Sequence, residues 1–171
     1  MQFRKAMLHF QVGKGRFVLR TAGAVFQSNR VLLHKSEDMD FWALPGGRVQ
    51  YLETTEQALK REMQEEIRSP IHIERLLWVV ENFFQDEEKG PPWSEPTHEL
   101  GFYYLFHFPH NSPLYGKDTF MGDEGGQPLI FEWHPVTTLE RCELYPAFLR
   151  KDLQTLPKTI AHVRIREGNL A

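Results

Sequence analysis

The sequence predicts an α/β fold built around a mixed β-sheet. Segments rich in β-branched and aromatic residues recur along the 171-residue chain, whereas helical periodicity is confined to two segments. Because strands and helices do not alternate strictly, a purely parallel sheet is not expected. Hydrophobic residues make up 41% of the chain and charged residues 25%, which is typical of a globular protein with its own core. We therefore expect residues 1–171 to form a single domain.

The first third of the chain predicts two hairpins. Residues 6–12 and 16–26 have the character of strands, and Gly13-Lys14-Gly15 supplies the turn between them. Residues 27–30 then turn the chain into a further strand at 31–35. Pro45-Gly46-Gly47 follows as a strong break in regular structure.

Residues 55–67 predict an amphipathic helix. Thr54 or Thr55 is suited to the N-cap, and Gln57 follows Thr54 at the spacing of a capping box. At 100° per residue one stripe of this helix is apolar, and it consists of Leu59, Met63 and Ile67. This stripe is expected to face the core.

The second half of the chain predicts four more strands and a short helix. The expected strands are residues 76–84, 99–108, 129–133 and 159–166, and the expected helix is 146–153 with a proline in its first turn. Residues 85–98 and 109–128 are expected to be irregular. Loops of this length are usually functional or mobile, and Trp93 in the first of them is either a lid residue or a ring packed on the sheet edge.

Composition and charge exclude several classes of protein. The single cysteine, Cys142, rules out an internal disulfide and a cysteine-based zinc site. A formal net charge of −3 lacks the basic footprint of a nucleic-acid-binding protein. No apolar run approaches the roughly 18 residues of a membrane span, and the N-terminal residues lack the apolar core of a secretory signal. We therefore expect a cytoplasmic setting, no membrane partner and no nucleic acid partner.

The predicted helix carries three carboxylates close together. Glu62, Glu65 and Glu66 lie within about 100° of one another around the helix axis, beside its apolar stripe. Like charges at this spacing repel, and a divalent cation would reverse that repulsion. The Gly46-Gly47 turn can offer a backbone oxygen as a further ligand because no side chain blocks the approach. Carboxylates, an exposed carbonyl oxygen and Mg²⁺ are the groups that pyrophosphate chemistry needs.

The segment from 47 to 69 resembles the Nudix box, G-x5-E-x7-R-E-U-x-E-E-x-G-U, where U is aliphatic. The matching residues are Gly47, Glu53, Arg61, Glu62, Met63, Glu65 and Glu66. Arg68 stands where the family has its second glycine, and Ser69 stands where it has an aliphatic residue. The missing glycine concerns the exit from the helix and removes no ligand.

The resemblance implies a Nudix α/β/α sandwich with a central mixed β-sheet, and hydrolysis of a nucleoside diphosphate linked to another group, X. It implies Mg²⁺ or Mn²⁺ as the cofactor, with Glu65 and Glu66 binding the metal. Glu62 would bind metal or accept a proton from water, and Gly46 or Gly47 would supply a backbone oxygen. Arg61 would hold Glu53 in a charge pair that fixes the loop against the helix.

Residues outside the box are weaker candidates. Some members of the family add a carboxylate from elsewhere, and we favour Glu99 as an accessory ligand or base over Glu81. Arg48 and Arg20 are candidates for binding substrate phosphate oxygens, although a solvated surface position is the commoner outcome for any single arginine.

Two alternatives to a Nudix pyrophosphohydrolase stay open at this point. One is a nucleotide-binding or regulatory module without turnover, suggested by Arg68 and Ser69. The other is a purely structural domain whose acidic helix binds no ion. The substrate is expected to be a small nucleotide-type molecule, but the sequence identifies neither X nor the oligomeric state, and a homodimer is compatible with it.

Overall fold

The computed structural model describes residues 6–86, 90 and 94–168 of the chain. The strands are β1 (His9–Val12), β2 (Gly15–Ala24), β3 (Phe26–Gln27), β4 (Arg30–Ser36), β5 (Gly46–Arg48), β6 (His72–Gln85), β7 (Thr97–His107), β8 (Thr119–Glu124), β9 (Gln127–Pro135) and β10 (Ala161–Gly168). The helices are α1 (Thr55–Ile67) and α2 (Leu149–Asp152), and 3₁₀ turns occupy Pro113–Gly116 and Val136–Arg141. Trp93 lies outside the described residues.

The central sheet is mixed, as the sequence predicts. Its strand order is β1-β2-β7-β6-β10, and β5 also pairs with β2. Strand β2 runs parallel to β7, and β10 runs parallel to β6, whereas β6 and β7 are antiparallel. On the other edge of β2, β1 pairs with its first half and β5 with its second half, both antiparallel. Strand β2 therefore lies between β5 and β7.

A second, antiparallel sheet has the order β3-β4-β9-β8. Its β3–β4 hairpin is predicted by the sequence, but the prediction that residues 109–128 are irregular is wrong for β8. This strand forms a hairpin with β9 through Gly125 and Gly126, whose φ angles of 61° and 96° suit glycine. Only Phe120 of β8 is buried, so its sequence shows no alternation that would have identified a strand.

Helix α1 has the boundaries and the cap that the sequence predicts. The Thr54 side chain accepts a hydrogen bond from the backbone of Gln57, and the Gln57 side chain accepts one from the backbone of Thr54. Leu59 and Met63 of the predicted apolar stripe are completely buried. Ile67, at the end of the helix, is partly buried against the same cluster.

The two helices cover opposite faces of the central sheet. Tyr103 of β7 belongs to a core cluster with Leu149 of α2, whereas the next residue, Tyr104, belongs to a cluster with Leu59 of α1. This alternation follows from the period of two along a strand. The α/β/α arrangement is thus present, but α2 spans four residues where the sequence predicts eight. Among the described residues, no helix is long and apolar enough to cross a membrane.

Helix α1 ends at Arg68, the residue that stands where the family has its second glycine. Arg68 itself adopts the left-handed conformation, with φ 55° and ψ 31°, and its backbone N–H donates to the carbonyl oxygen of Met63. The helix therefore ends with the backbone geometry that a glycine would supply. For a residue with a Cβ, this conformation costs roughly 1–2 kcal/mol of free energy.

We predict that Arg68→Gly raises the free energy of unfolding by about 1 kcal/mol, because it removes the Cβ from a left-handed residue. Urea unfolding measures the effect. Arg68→Ala is the matched control, since it deletes the charged side chain but keeps the Cβ, and it should bring no gain. Equal stabilisation by both variants would show that the backbone conformation is not the cause.

Candidate functional site

Gly46 and Gly47 place bare backbone against helix α1 and strand β2. A Cβ built on Gly47 would overlap the carboxyl group of Glu62, so no larger residue fits while Glu62 keeps its position. Gly46 has a φ of +150°, and a Cβ there would overlap the carbonyl oxygen of Thr21. Gly47 therefore allows the acidic face of the helix to approach the turn, and Gly46 allows the turn to approach strand β2.

The guanidinium group of Arg61 connects the helix to the loop that precedes it. Its Nε and Nη2 donate to the two carboxylate oxygens of Glu53 at 2.8 and 3.0 Å. Nη1 donates to Glu62 Oε1 at 2.7 Å and to Glu65 Oε2 at 3.2 Å, and Nη2 also reaches the carbonyl oxygen of Arg48 at 3.1 Å. The structure thus brings Glu53 and Arg61 together in a bidentate pair.

Glu66 is the least satisfied group of the cluster. It is 4% exposed, and neither of its carboxylate oxygens has a hydrogen-bond partner among the described residues. Nδ1 of His34 lies 3.9 Å from Oε2 and is itself without a hydrogen bond to a described residue. Burial lowers the pKa of His34 to about 3, so this histidine is neutral and supplies no positive charge.

Burial also governs the titration of the helix carboxylates. It raises the pKa of Glu66 to about 9, with further contributions from the negative charges of Glu62 and Glu124. Burial raises the pKa of Glu62 as well, against the opposing effect of its hydrogen bond to Arg61. Burial alone would lower the pKa of Arg61, but the hydrogen bonds to Glu53 and Glu62 outweigh it and raise the pKa.

This donor set suits a hard divalent cation. Two buried carboxylates lie beside a bare backbone turn, and one of them has two orphaned oxygens, which is costly unless a cation or proton joins it. In the described parts of the chain, no group of three His, Cys, Asp or Glu side chains is arranged as a complete metal site. The carboxylate of Glu65, 47% exposed, is turned towards Arg61 instead.

A cleft of about 680 Å³ opens beside the glycine turn. It runs between the two sheets, and its walls include five of the six residues that the sequence proposes outside the helix carboxylates and the Arg61–Glu53 pair. They are Arg20, Gly46, Gly47, Arg48 and Glu99. This volume is in the usual range of ligand pockets, roughly 300–1,000 Å³.

The cleft floor places Arg20 between the glycine turn and Glu99. In the sheet register, Arg20 lies opposite Arg48 of β5 on one side and opposite Gly101 of β7 on the other. Glu99 lies two residues before Gly101, opposite Asn82 of β6. Burial raises the pKa of Glu99, against the opposing charges of Arg20 and Arg16.

The second carboxylate proposed outside the box does not reach this site. Glu81 precedes the cleft-lining Asn82 on β6, so its side chain points to the opposite face of the sheet. There its Oε2 lies 2.8 Å from Nε2 of the exposed His162. The structure brings Glu99 into the cleft and leaves Glu81 outside it.

Sequence reasoning missed Glu124 and His34. Glu124 lines the cleft on β8 and raises the pKa of Glu66, and β8 approaches so closely that a Cβ on Gly122 would lie 2.9 Å from the carbonyl oxygen of Glu66. No sequence signal could have placed Glu124 there, because its strand was not predicted. His34 follows no ligand spacing, and only the packing of β4 against the helix reveals it.

Comparison with known proteins identifies the domain. The family model described as "NUDIX domain" matches residues 17–153, which is most of the chain. A curated relative, an 8-oxo-dGTP diphosphatase of Proteus vulgaris, is 45% identical over 62 residues, 36% of this chain and 54% of the relative. The aligned part of the chain thus spans about half the length of that relative.

Solved structures show the same fold at low sequence identity. An ADP-ribose pyrophosphatase from Streptococcus suis is similar with a TM-score of 0.54 and 16% identity, over 86% of this chain and 98% of that one. A NUDIX hydrolase from Nitrosomonas europaea is similar with a TM-score of 0.57 and 15% identity, over 87% of this chain and 78% of that one. At these identities the likeness concerns the fold.

We predict that, without divalent ions, the free energy of unfolding falls as the pH rises from about 5 to 9. The folded state keeps a proton on Glu66 that the unfolded state releases near its ordinary pKa, so the folded state binds more protons across this range. Glu66→Gln should remove most of this dependence and stabilise the protein at pH 8. Urea unfolding at a series of pH values provides the measurement.

Glu65→Gln is the control for this series, because the Glu65 side chain is half exposed. Its pH dependence should match that of the unmodified protein. A stability that is independent of pH in the unmodified protein would contradict the buried, unpartnered state of Glu66.

Proposed function

Since the chain belongs to the NUDIX domain family, we propose that it hydrolyses the diphosphate linkage of a nucleoside diphosphate derivative with Mg²⁺ or Mn²⁺. The observation that carries this proposal is the pair of orphaned oxygens on buried Glu66, next to Glu62 and at the edge of a ligand-sized cleft. A structural domain gains nothing from an unpaired buried carboxylate. A cation site gains a carboxylate ligand from it.

The residues that would hold the ion are Glu62, Glu65 and Glu66, with a backbone oxygen of Gly46 or Gly47. When bound, the ion would neutralise phosphate charge and lower the pKa of a water molecule. The hydrogen bonds of Arg61 to Glu53 and Glu62 fix the helix against the loop, so that the acids keep their positions when substrate arrives.

The cleft residues would bind and orient the substrate. Arg48 and Arg20 would bind phosphate oxygens, since both line the cleft next to the glycine turn. Water attacks one phosphorus, the bond from that phosphorus to the bridging oxygen breaks, and the proton of the water passes to a carboxylate. We assign the proton to Glu62, with Glu99 as the accessory base because burial raises its pKa above that of an ordinary carboxyl group.

The proposal extends to domain organisation and substrate class. Strands β1 and β10 lie outside the matched residues, yet they pair with β2 and β6 inside them, which supports one domain over residues 1–171. The named relatives act on nucleotides, and the cleft joins cationic and aromatic walls, which suits a small nucleotide. We therefore propose a nucleotide-type substrate for this chain.

A panel of nucleoside diphosphate derivatives tests the activity. It includes 8-oxo-dGTP, ADP-ribose, nucleotide sugars and dinucleoside polyphosphates, each incubated with Mg²⁺ or Mn²⁺ and with a chelator. Product masses identify the broken bond. Metal-dependent release of two phosphorylated products from any panel member supports the proposal, whereas binding of nucleotide without turnover favours the regulatory module.

We predict that Glu65→Gln or Glu66→Gln lowers turnover by at least about 100-fold while the fold persists. Each variant keeps the shape of the side chain and removes one negative charge from the cation site. Steady-state kinetics on the best panel substrate measures the loss, and circular dichroism checks the fold. Glu56→Gln, in the exposed first turn of α1, is the control and should retain full activity.

We predict that Gly47→Ala reduces turnover by about tenfold or more, because its Cβ would displace the Glu62 carboxyl group. Gly116→Ala is the matched control, since a Cβ there meets no atom within 4 Å. Turnover of the two variants under saturating Mg²⁺ is compared. Equal activity would mean that the contact between Gly47 and Glu62 has no role in catalysis.

A further inference from the structure

Asn82 is a buried residue on the cleft wall whose side-chain oxygen has no partner. The residue is 5% exposed, and its Oδ1 has no hydrogen bond to any residue that the structure describes. Asn82 is also one of the residues that line the cleft. A buried acceptor without a donor is costly to the folded state. Its presence on a cleft wall therefore points to a ligand that donates to it.

The amide nitrogen of Asn82 is directed to Glu99. In the register of the central sheet, Asn82 of β6 lies directly opposite Glu99 of β7, and both residues line the cleft. A side-chain hydrogen bond from Asn82 lowers the pKa of Glu99, and only the amide nitrogen can donate it. The oxygen is therefore the end of the amide that is left for a ligand.

Asn82 lies away from the end of the cleft where phosphate is proposed to bind. Glu99 is opposite Val18 of β2, so Asn82, Glu99 and Val18 form one row across the sheet, two residues along β2 from Arg20. With about 4.8 Å between strands and about 3.3 Å per residue, the backbone of Asn82 is roughly 12 Å from that of Arg20. An extended nucleotide with its phosphates at the glycine turn reaches this far with its base.

The surroundings of Asn82 suit a flat heterocycle. Phe84, two residues further along β6, lines the same cleft. Phe41 and Tyr145 also line it, and their ring centroids lie 5.6 Å apart. Aromatic walls bind a nucleobase through its face, and a polar atom beside them then contacts the edge of the base. A sugar hydroxyl gains nothing from aromatic walls, so the base is the better donor for Asn82.

We propose that Asn82 is a specificity-determining residue whose Oδ1 accepts a hydrogen bond from an N–H group of the substrate base. This inference rests on the proposed function, because it takes the glycine turn as the phosphate end of the cleft. A base that offers an N–H at this point supplies the missing donor. A base with a bare ring nitrogen or a methyl group there leaves the buried oxygen unpaired, and such a mismatch is strongly disfavoured.

The test uses calorimetry with nucleoside 5′-monophosphates, which carry the base and require neither metal nor turnover. In each pair only the first ligand has the N–H donor in question. The pairs are AMP and purine riboside 5′-monophosphate, CMP and its 4-deamino analogue, UMP and 3-methyl-UMP, GMP and IMP, GMP and 1-methyl-GMP, and 8-oxo-dGMP and dGMP. For one of these pairs, the unmodified protein should bind the first ligand about tenfold more tightly.

Replacement of Asn82 should remove this preference. In Asn82→Leu, which has a similar shape and no polar atom, the two ligands of that pair should bind within about twofold of each other. Asn82→Ala gives the same comparison with a smaller side chain. Asn82→Asp keeps an acceptor oxygen but loses the donor to Glu99, so it should retain the preference within about threefold. Circular dichroism checks that each variant is folded.

Ser36→Ala is the matched control. Ser36 also lines the cleft, but its Oγ already donates to Asp38 Oδ1 at 2.6 Å. The variant should therefore bind every monophosphate with the affinity of the unmodified protein.

Three results would overturn the inference. The first is that the unmodified protein prefers no donor-bearing ligand, which includes the case that no monophosphate binds. The second is that the preference survives in Asn82→Leu and Asn82→Ala. The third is that it is lost in Asn82→Asp as well, because the contact with Glu99 would then be its cause.

Failure of the proposed function gives a different result. The unmodified protein would then turn over no member of the substrate panel with either metal, while a base preference that depends on Asn82 would still be measurable. Turnover without such a preference would preserve the proposed function and eliminate the role of Asn82.

Discussion

The geometry of the site depends on the contacts of one guanidinium group. Arg61 links Glu53 in the loop to Glu62 and Glu65 on the helix and also reaches the carbonyl oxygen of Arg48. Four groups from strand β5, the loop and the helix are therefore held by a side chain whose charge is permanent. Because Glu62 in turn rests on the bare backbone of Gly47, the helix, the loop and the glycine turn form one rigid unit.

This arrangement carries a cost in stability. Glu66 is buried with no hydrogen bond to a described residue, and its neighbours Glu62 and Glu124 add like charge. An unpaired buried carboxylate disfavours the folded state unless it takes up a proton or a cation. The fold tolerates it because α1 is anchored elsewhere, by a capping box at Thr54 and by completely buried Leu59 and Met63. Local destabilisation at a well-anchored helix is typical of functional sites.

Strand β2 connects the core to the cleft through the simple alternation of its side chains. Arg16, Val18, Arg20 and Ala22 line the cleft, whereas the residues between them face the side of α1. On that side a Cβ at Gly23 would lie 2.8 Å from Leu59 Cδ2, so only glycine lets the helix sit this close. One strand therefore positions the helix that bears the acids and also places Arg20 on the cleft wall.

The sequence by itself determined the helix, its cap, its acidic face and the glycine turn, because these depend on contacts between residues close together in the chain. It also predicted the mixed sheet and both N-terminal hairpins. Only the tertiary structure decided that Glu99 enters the cleft while Glu81 faces away, since strand register fixes the face of each side chain. Strand β8 and its Glu124 likewise escaped prediction, because their place depends on pairing with β9 and packing against α1 rather than on any local pattern.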